Sequence, residues 1–163
     1  MMREKIKGRE DLRRIIDDLK TKGKRIVFTN GCFDLLHIGH IRYLEEAKAL
    51  GDILVVGVNS DQSVQNLKGS RRPILPDEER AEILSGLWCV DYVSIFNELT
   101  PLELITSLQP NILVKGGDWS KETIVGAEVV ERSGGKVVIL PFVHGASTST
   151  LIESILNRYE KRT

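Results

Sequence analysis

The chain has 163 residues, a length typical of one domain that buries its own hydrophobic core without disulfides or a structural metal. It carries 23 Lys and Arg against 23 Asp and Glu, so no net charge draws it to nucleic acid or to an anionic membrane. No apolar run approaches the roughly 20 residues that cross a bilayer, and the polar start MMREKIKGRE has no signal-peptide core. We therefore expect a cytoplasmic protein with neither nucleic-acid nor membrane partners. Its two cysteines, Cys32 and Cys89, lack metal-ligand spacing, which argues against a zinc site.

The N-terminal segment has the pattern of an amphipathic helix. In residues 9–23, Leu12, Ile15, Ile16 and Leu19 fall on one helical stripe. We expect residues 1–24 to form a helix packed on a domain made of residues 25–163.

Short runs rich in Val and Ile then alternate with segments of helical length. The runs predicted as strands are 25–29, 52–58, 91–96, 111–115 and 136–140. Helix signals lie at 40–50, 76–87 and 100–108, and in the last of these Thr100 and Glu103 match a capping box. Most strands are almost continuously apolar, as expected where helices cover both faces of a parallel sheet. The sequence predicts an α/β fold, a Rossmann-like doubly wound parallel sheet of about five strands with helices on both faces.

The segment GCFDLLHIGH follows the first predicted strand, which ends at Thr29. In this class of sheet, ligands bind beyond the carboxyl ends of the strands. A helix that begins at the histidines would offer free N–H groups to phosphate, and Gly31 and Gly39 would allow close backbone approach. Neither the three-glycine dinucleotide fingerprint nor a Gly-Lys-Ser/Thr phosphate loop occurs here.

His37 and His40 are three residues apart, which places both rings on one face of a helix start. When protonated, each ring has two N–H donors for phosphate oxygens as charge builds in a transition state. The alternative is that one histidine caps the helix and the other is a partly buried polar residue. Their position at the ligand-binding edge of the sheet favours the first interpretation.

Five motifs in order carry a resemblance to a known family: GCFDLLHIGH, VNSD (58–61), LKGSRRP (67–73), LVKGGDW (113–119) and GASTSTLI (145–152). The sequence resembles the cytidylyltransferase-like nucleotidyltransferases, which join a nucleoside monophosphate to a phosphorylated small molecule and release pyrophosphate. It is most similar to the adenylyltransferase domain of heptose kinase/adenylyltransferase proteins, which make ADP-heptose for lipopolysaccharide. Those proteins commonly carry a sugar-kinase domain ahead of this one. We therefore expect either a free-standing adenylyltransferase that acts with a separate sugar kinase or an excised domain of a bifunctional protein. A homodimer is also expected.

The resemblance implies transfer of AMP from ATP to D-glycero-β-D-manno-heptose 1-phosphate or a close anomer, with Mg²⁺ accompanying the ATP. It assigns catalysis to His37, His40 and Lys68, where Lys68 is a mobile lysine on a polar loop. Binding of the sugar phosphate is assigned to Asp34, Arg71 and Arg72. Binding of the nucleotide is assigned to Asn30, Gly31, Cys32, Phe33, Gly39, Gly117, Asp118, Ser147 and Thr148, with Asp118 also a weak ligand for Mg²⁺ held through the phosphates.

Alternatives remain for several of these residues. Lys68 could be a solvated surface lysine, and Gly-Gly-Asp is good turn chemistry without any ligand. A capping box of Thr150 and Glu153 would explain one or two of the four hydroxyls in GASTST. No base is indicated beside Cys32 that would make it a nucleophile.

The segment FVHGAST departs from the glycerol-phosphate cytidylyltransferases, which resemble it but read RTEGIST. Phe142 stands where that family has an arginine, which disfavours a cytosine-specific site. His144 is expected to be exposed or structural in its loop. Two alternative functions stay open: a cytidylyltransferase acting on glycerol 3-phosphate or a similar alcohol, and a non-catalytic nucleotide-binding module.

Overall fold

The computed structural model describes residues 1–117, 119–141 and 145–160. Its strands are β1 (Ile26–Gly31), β2 (Ile53–Asn59), β3 (Tyr92–Phe96), β4 (Ile112–Gly116) and β5 (Lys136–Leu140). Its α-helices are α1 (Arg9–Thr21), α2 (Ile38–Ala49), α3 (Asp61–Lys68), α4 (Asp77–Ser85), α5 (Leu102–Leu108), α6 (Ala127–Arg132) and α7 (Thr148–Tyr159), with short 3-10 helices at Met2–Lys5 and Lys121–Thr123.

The five strands form one sheet in the order β3-β2-β1-β4-β5, and every pair is parallel. This confirms the predicted Rossmann-like fold class. Each strand begins at the predicted residue or one residue after it. The chain runs outward from β1 to β3 and then crosses back to β4, so strand order reverses between β1 and β4.

Two hydrophobic cores lie on opposite faces of the sheet. On one face, Phe28 packs with residues of α1, α5 and α6, and on the other, Val27 packs with residues of α2 and α4. Neighbouring strand residues point to opposite faces, so a strand buried on both sides must be apolar at every position. This explains the continuous apolar runs in the sequence.

The N-terminal segment belongs to the first of these cores. Leu12 and Ile16 of α1 are completely buried there, whereas Ile15 on the predicted stripe stays partly exposed. Ahead of α1, Ile6 forms a parallel bridge with Val93, and the Lys7 N–H donates to the Val93 carbonyl at 2.9 Å. This contact covers part of the exposed edge of β3.

The predicted capping box at Thr100 is wrong. The first hydrogen bond of α5 runs from the Ile105 N–H to the Pro101 carbonyl at 2.9 Å, so Pro101 is the N-cap and Thr100 lies outside the helix. The Glu103 carboxylate instead accepts from Arg9 Nη1 at 2.9 Å. A long-range ion pair has thus replaced the local cap.

From the sequence, no helix was predicted at the positions of α3 and α6. Lys68 is the last residue of α3, and Gly69 follows it with φ 91°. The expectation that Lys68 lies in a loop is therefore wrong, because the helix extends to it and ends at the glycine. Among the helices formed by described residues, none is long and apolar enough to cross a bilayer.

Candidate active site

The sheet opens where its strand order reverses. Strand β1 pairs with β2 as far as Gly31 and Val58, but its pairing with β4 stops at Phe28 and Leu113. Beyond that pair, β1 and β4 separate toward their carboxyl ends. The result is a crevice at the switch point, the place where doubly wound sheets bind ligands.

A cavity of about 480 Å³ fills this crevice. It lies between the loop after β1, helix α2, the end of β4, the segment after α3 and the start of α7. The structure brings most of the predicted site residues to its wall: Asn30, Gly31, Cys32, Phe33, Asp34, His37, Gly39, His40, Lys68, Arg72, Ser147 and Thr148. Arg71 and Gly117 are not on the wall, and Asp118, Phe142 and His144 lie outside the described residues.

The two histidines are stacked at the start of α2. Their ring centroids are 3.8 Å apart, with 22° between the ring planes. His37 is the N-cap residue, and its backbone N–H donates to Nδ1 of His40 at 3.4 Å. The His37 Nδ1 is buried and has no partner among the described residues. The ring of His40 therefore supports the helix start, the structural role considered as the alternative for one histidine. The ring of His37 has a nitrogen without a described partner.

Burial favours the neutral form of both rings in the ligand-free protein. Burial, followed by the positive charges of His37 and Lys68, lowers the pKa of His40 to about 4. Burial also lowers the pKa of His37. A neutral imidazole has one N–H donor, so the two donors per ring expected on protonation require a change that raises these pKa values. Since His40 Nδ1 accepts a hydrogen bond, its proton belongs on Nε2.

Two glycines lie close to these rings. A Cβ at Gly39 would lie 2.9 Å from His37 Nδ1 and 3.0 Å from the Ala146 Cβ, so a side chain there would disturb the stack or the start of α7. A Cβ at Gly31 would lie 3.0 Å from the ring of Phe33. That ring is almost fully buried and tilts against His40 at a centroid distance of 5.3 Å. Phe33 therefore packs against the ring of His40.

Asp34 is occupied by protein groups. Its side chain has no exposed surface, and it accepts from Arg72 Nε at 2.7 Å and from the backbone N–H groups of Ile74 and Leu75 at 2.9 Å each. Burial alone would raise the pKa of Asp34, but these N–H groups and Arg72 outweigh it and hold the pKa below its usual value. The predicted contact between Asp34 and a sugar phosphate thus finds no free carboxylate oxygen. In the ligand-free structure Asp34 anchors residues 72–75.

The neighbouring cations Lys68, Arg71 and Arg72 differ in their protein partners and in whether they line the cavity. Arg72 is held by Asp34 through Nε, while its Nη2 is buried and has no partner among the described residues. Lys68 is exposed at the rim of the cavity, and Arg71 is exposed away from it. Arg72 and Lys68 are thus available to an anion in the cavity. The predicted role of Arg71 has no support from its position.

The start of α7 forms the opposite wall. Ser147 is the N-cap, and its hydroxyl accepts from the Thr150 N–H at 3.0 Å. The N-cap therefore lies three residues before Thr150, the cap considered from sequence. The Thr148 hydroxyl donates to the Leu35 carbonyl at 3.2 Å. Both hydroxyls already form hydrogen bonds within the protein. Their proposed contact with phosphate remains a prediction.

The turn after β4 is built around Gly117. Its φ is 110°, in the region that favours glycine, and its N–H donates to the Leu140 carbonyl at 2.8 Å. Trp119 is half exposed at the cavity wall, and its indole N–H donates to the Gly116 carbonyl at 3.0 Å. Gly117 therefore shapes the turn that carries this wall.

Sequence reasoning missed three residues that shape the site. Tyr43 of α2 lies at the split, where its hydroxyl is 2.6 Å from Thr29 Oγ1 and donates to the Val114 carbonyl at 3.2 Å. Lys115, next to the split, donates to Asn30 Oδ1 at 2.6 Å. For Lys115 a signal was available, since a lysine inside an apolar strand is unusual.

The third missed residue is Arg80, which is almost completely buried. Its guanidinium donates to the Cys32 carbonyl at 2.5 Å, the Leu75 carbonyl at 2.9 Å and Asp61 Oδ1 at 2.8 Å. Arg80 therefore joins the loop after β1, helix α3 and the segment that Asp34 anchors. Its sequence context, the polar start of a helix, gave no signal.

The parallel sheet and the crevice at its switch point define a Rossmann-like α/β protein. A solved pantoate-beta-alanine ligase from Francisella tularensis shares this fold, with a TM-score of 0.60 and 15% identity, covering 97% of this chain and 79% of that one. The cytidylyltransferase-like family model matches residues 28–151. The chain belongs to the cytidylyltransferase-like family, which confirms the resemblance carried by the motifs.

Individual relatives agree with this family. The chain is 55% identical over 157 residues to "Bifunctional protein HldE" of Syntrophotalea carbinolica and 57% identical over 155 residues to the protein of that name in Pelobacter propionicus. These matches cover 96% and 95% of this chain but 32% of each relative. A solved lipopolysaccharide core biosynthesis protein from Thermoplasma volcanium is 31% identical with a TM-score of 0.62, covering 74% of this chain and 98% of that one.

Proposed function

We propose that this chain is an adenylyltransferase that transfers AMP from ATP to a heptose 1-phosphate, giving ADP-heptose and pyrophosphate for lipopolysaccharide biosynthesis. The observation that carries the proposal is the pair of stacked histidines at the start of α2, facing a crevice in which the free charges of the described residues are cationic. The family membership and the HldE relatives support the same chemistry.

The reaction requires positioning and charge stabilisation more than covalent chemistry. A phosphate oxygen of the sugar 1-phosphate attacks the α-phosphorus of ATP, the bond from that phosphorus to the bridging oxygen breaks, and pyrophosphate leaves with the electron pair. In this proposal His37 and His40, which line the cavity, donate hydrogen bonds that stabilise the charge on the reacting phosphoryl group. A bound triphosphate raises the pKa of both rings, because its negative charge opposes the effect of burial. The rings then become stronger donors only when the substrate is present.

Arg72 and Lys68 are the described cations suited to the remaining phosphate oxygens. Arg72 presents a buried, unpartnered Nη2, and Lys68 can reach over the cavity from the end of α3. A guanidinium matches phosphate geometry well. Asp34 contributes indirectly, since it holds Arg72 in place.

Magnesium enters this proposal as part of the MgATP substrate. On the described part of the cavity wall the only carboxylate is Asp34, whose oxygens are taken by Arg72 and backbone N–H groups. No group of three or more His, Cys, Asp or Glu suited to a metal occurs within residues 1–117, 119–141 and 145–160. Asp118 remains the residue that the resemblance assigns to Mg²⁺.

The partners of the protein are also proposals. The chain spans 32% of the length of these HldE relatives, which are named bifunctional proteins. We propose that a sugar kinase, linked or separate, supplies the heptose 1-phosphate in the cytoplasm. A homodimer remains an expectation for light scattering to test.

The deciding assay is pyrophosphate release with ATP or CTP, each combined with heptose 1-phosphate or glycerol 3-phosphate in the presence of Mg²⁺. We expect fastest turnover with ATP and heptose 1-phosphate. Fastest turnover with CTP and glycerol 3-phosphate would replace this proposal with the cytidylyltransferase alternative. No turnover with any pair would favour the non-catalytic nucleotide-binding module.

A further inference from the structure

Lys115 occupies an unusual position for a charged residue. It lies on β4, two residues beyond Leu113, where β4 has already separated from β1. Its ammonium reaches across the gap and donates to Asn30 Oδ1 on β1 at 2.6 Å. The two side chains thus bridge the floor of the crevice.

The charge of Lys115 is not compensated by the described protein. No described carboxylate lies within 4 Å of its ammonium, and Asn30 is its single hydrogen-bond partner there. Asp34, the one carboxylate on the described wall, is already engaged by Arg72. Burial lowers the pKa of Lys115 to about 8, so the ammonium form still predominates at neutral pH. Two of its three N–H donors remain for a ligand.

We propose that Lys115 binds a phosphate oxygen of the substrates, with Asn30 as the positioning residue that aims its ammonium. This inference deepens the proposed function and rests on it. A ligand carrying negative charge would compensate the partly buried ammonium, whereas a neutral sugar or base would not. The phosphate belongs either to the sugar 1-phosphate or to the nucleotide, and the chemistry of recognition is the same for both.

The test compares Lys115→Met, which removes the charge but keeps the length of the side chain, with wild type. We expect the KM of one substrate to rise about 10- to 100-fold, the usual effect of losing a charged hydrogen bond. A rise for heptose 1-phosphate assigns Lys115 to the acceptor, and a rise for ATP assigns it to the nucleotide. Lys115→Arg should restore part of the loss, and Asn30→Ala should raise the same KM by a smaller factor.

Lys20→Met is the matched control. Lys20 is also partly buried with a pKa lowered by burial, but it lies on α1 and donates to the carbonyls of Leu108 and Gln109 at 2.7 Å, outside the cavity. Its substitution should leave both KM values unchanged. Melting curves of each variant will show that the fold is retained.

Calorimetric titrations with ATP and with heptose 1-phosphate keep this test separate from the proposed function. If wild type shows no turnover, the proposed function fails, yet weaker binding of either ligand to Lys115→Met would still support phosphate recognition by Lys115. Unchanged affinity for both ligands would overturn the inference. A change confined to the preference for ATP over CTP would overturn it as well, because the ammonium would then contact the base.

Discussion

Asp34→Asn tests whether Asp34 anchors a segment of the protein or contacts substrate. The substitution removes the charge opposite Arg72 and leaves one acceptor oxygen for two backbone N–H groups, of Ile74 and Leu75. Breaking a buried ion pair costs about 3–5 kcal/mol, and we expect about 3 kcal/mol because the amide keeps one acceptor. For a chain of this size, each kcal/mol lowers Tm by about 2–4 °C, so Tm should fall by about 6–12 °C.

The pH dependence of stability gives a second reading of the same substitution. The pKa of Asp34 is lower in the folded protein than in the unfolded chain. Its stabilising contribution is therefore complete above the unfolded pKa and is lost as pH falls through the folded pKa. The difference in Tm between wild type and Asp34→Asn should be largest at neutral pH and shrink under acidic conditions.

The measurements are thermal melts followed by circular dichroism and KM values for both substrates. Asp91→Asn is a matched control, since Asp91 accepts from Lys48 Nζ at 2.5 Å and from the Leu54 N–H at 2.7 Å. Asp91 lies just before β3, at the amino-terminal ends of the strands and away from the cavity. It should lower Tm without changing either KM. If Asp34→Asn instead keeps the wild-type Tm and raises only the KM for the sugar phosphate, Asp34 contacts substrate and the anchoring role is wrong.

Three further predictions concern the histidines. His40→Ala should lower kcat about 10²- to 10³-fold with the fold retained, the usual loss for one donor to a transition state, and near wild-type turnover would refute this role. Gly39→Ala should lower kcat with little change in Tm, because a Cβ there lies 2.9 Å from His37 Nδ1; unchanged kinetics would show that the stack is not needed. By NMR, His40 should titrate near pH 4 in the free protein and at higher pH with ATP bound, whereas a free value near 6.5 would contradict its burial.

The sheet and the start of α2 were predictable because their signals are local. Continuous apolar runs identified all five strands, and the alternation with helical segments gave the parallel sheet. The histidines, with Gly39 between them, were placed correctly at a helix start that follows the first strand. The motifs also identified Lys68 and Arg72 as site residues, and both line the cavity. The motifs did not predict which protein groups either residue contacts.

The contacts of the site were not predictable, because they join residues far apart in the chain. Asp34 meets its partners 38–41 residues later, and Lys115 meets Asn30 across 85 residues. Which carboxylate is free and which is consumed depends on how loops fold against each other. A motif that contains Asp34 therefore identifies the right region of the molecule without showing which protein groups its carboxylate contacts.

The site contains one charge that the protein compensates, Asp34, and one that the described protein does not, Lys115. Removing these two charges should change the stability of the fold in opposite directions. Asp34 is compensated inside the protein, so its loss lowers stability, whereas the ammonium of Lys115 is partly buried with no described carboxylate beside it. Because burial lowers the Lys115 pKa to about 8, that ammonium costs stability below pH 8, and the cost is relieved as pH rises toward its ordinary value of 10.5. Lys115→Met should therefore have a Tm at or above that of wild type at pH 7, with the difference shrinking toward pH 10.5, even though ligand affinity falls. A lower Tm at pH 7 would show that Lys115 supports the fold.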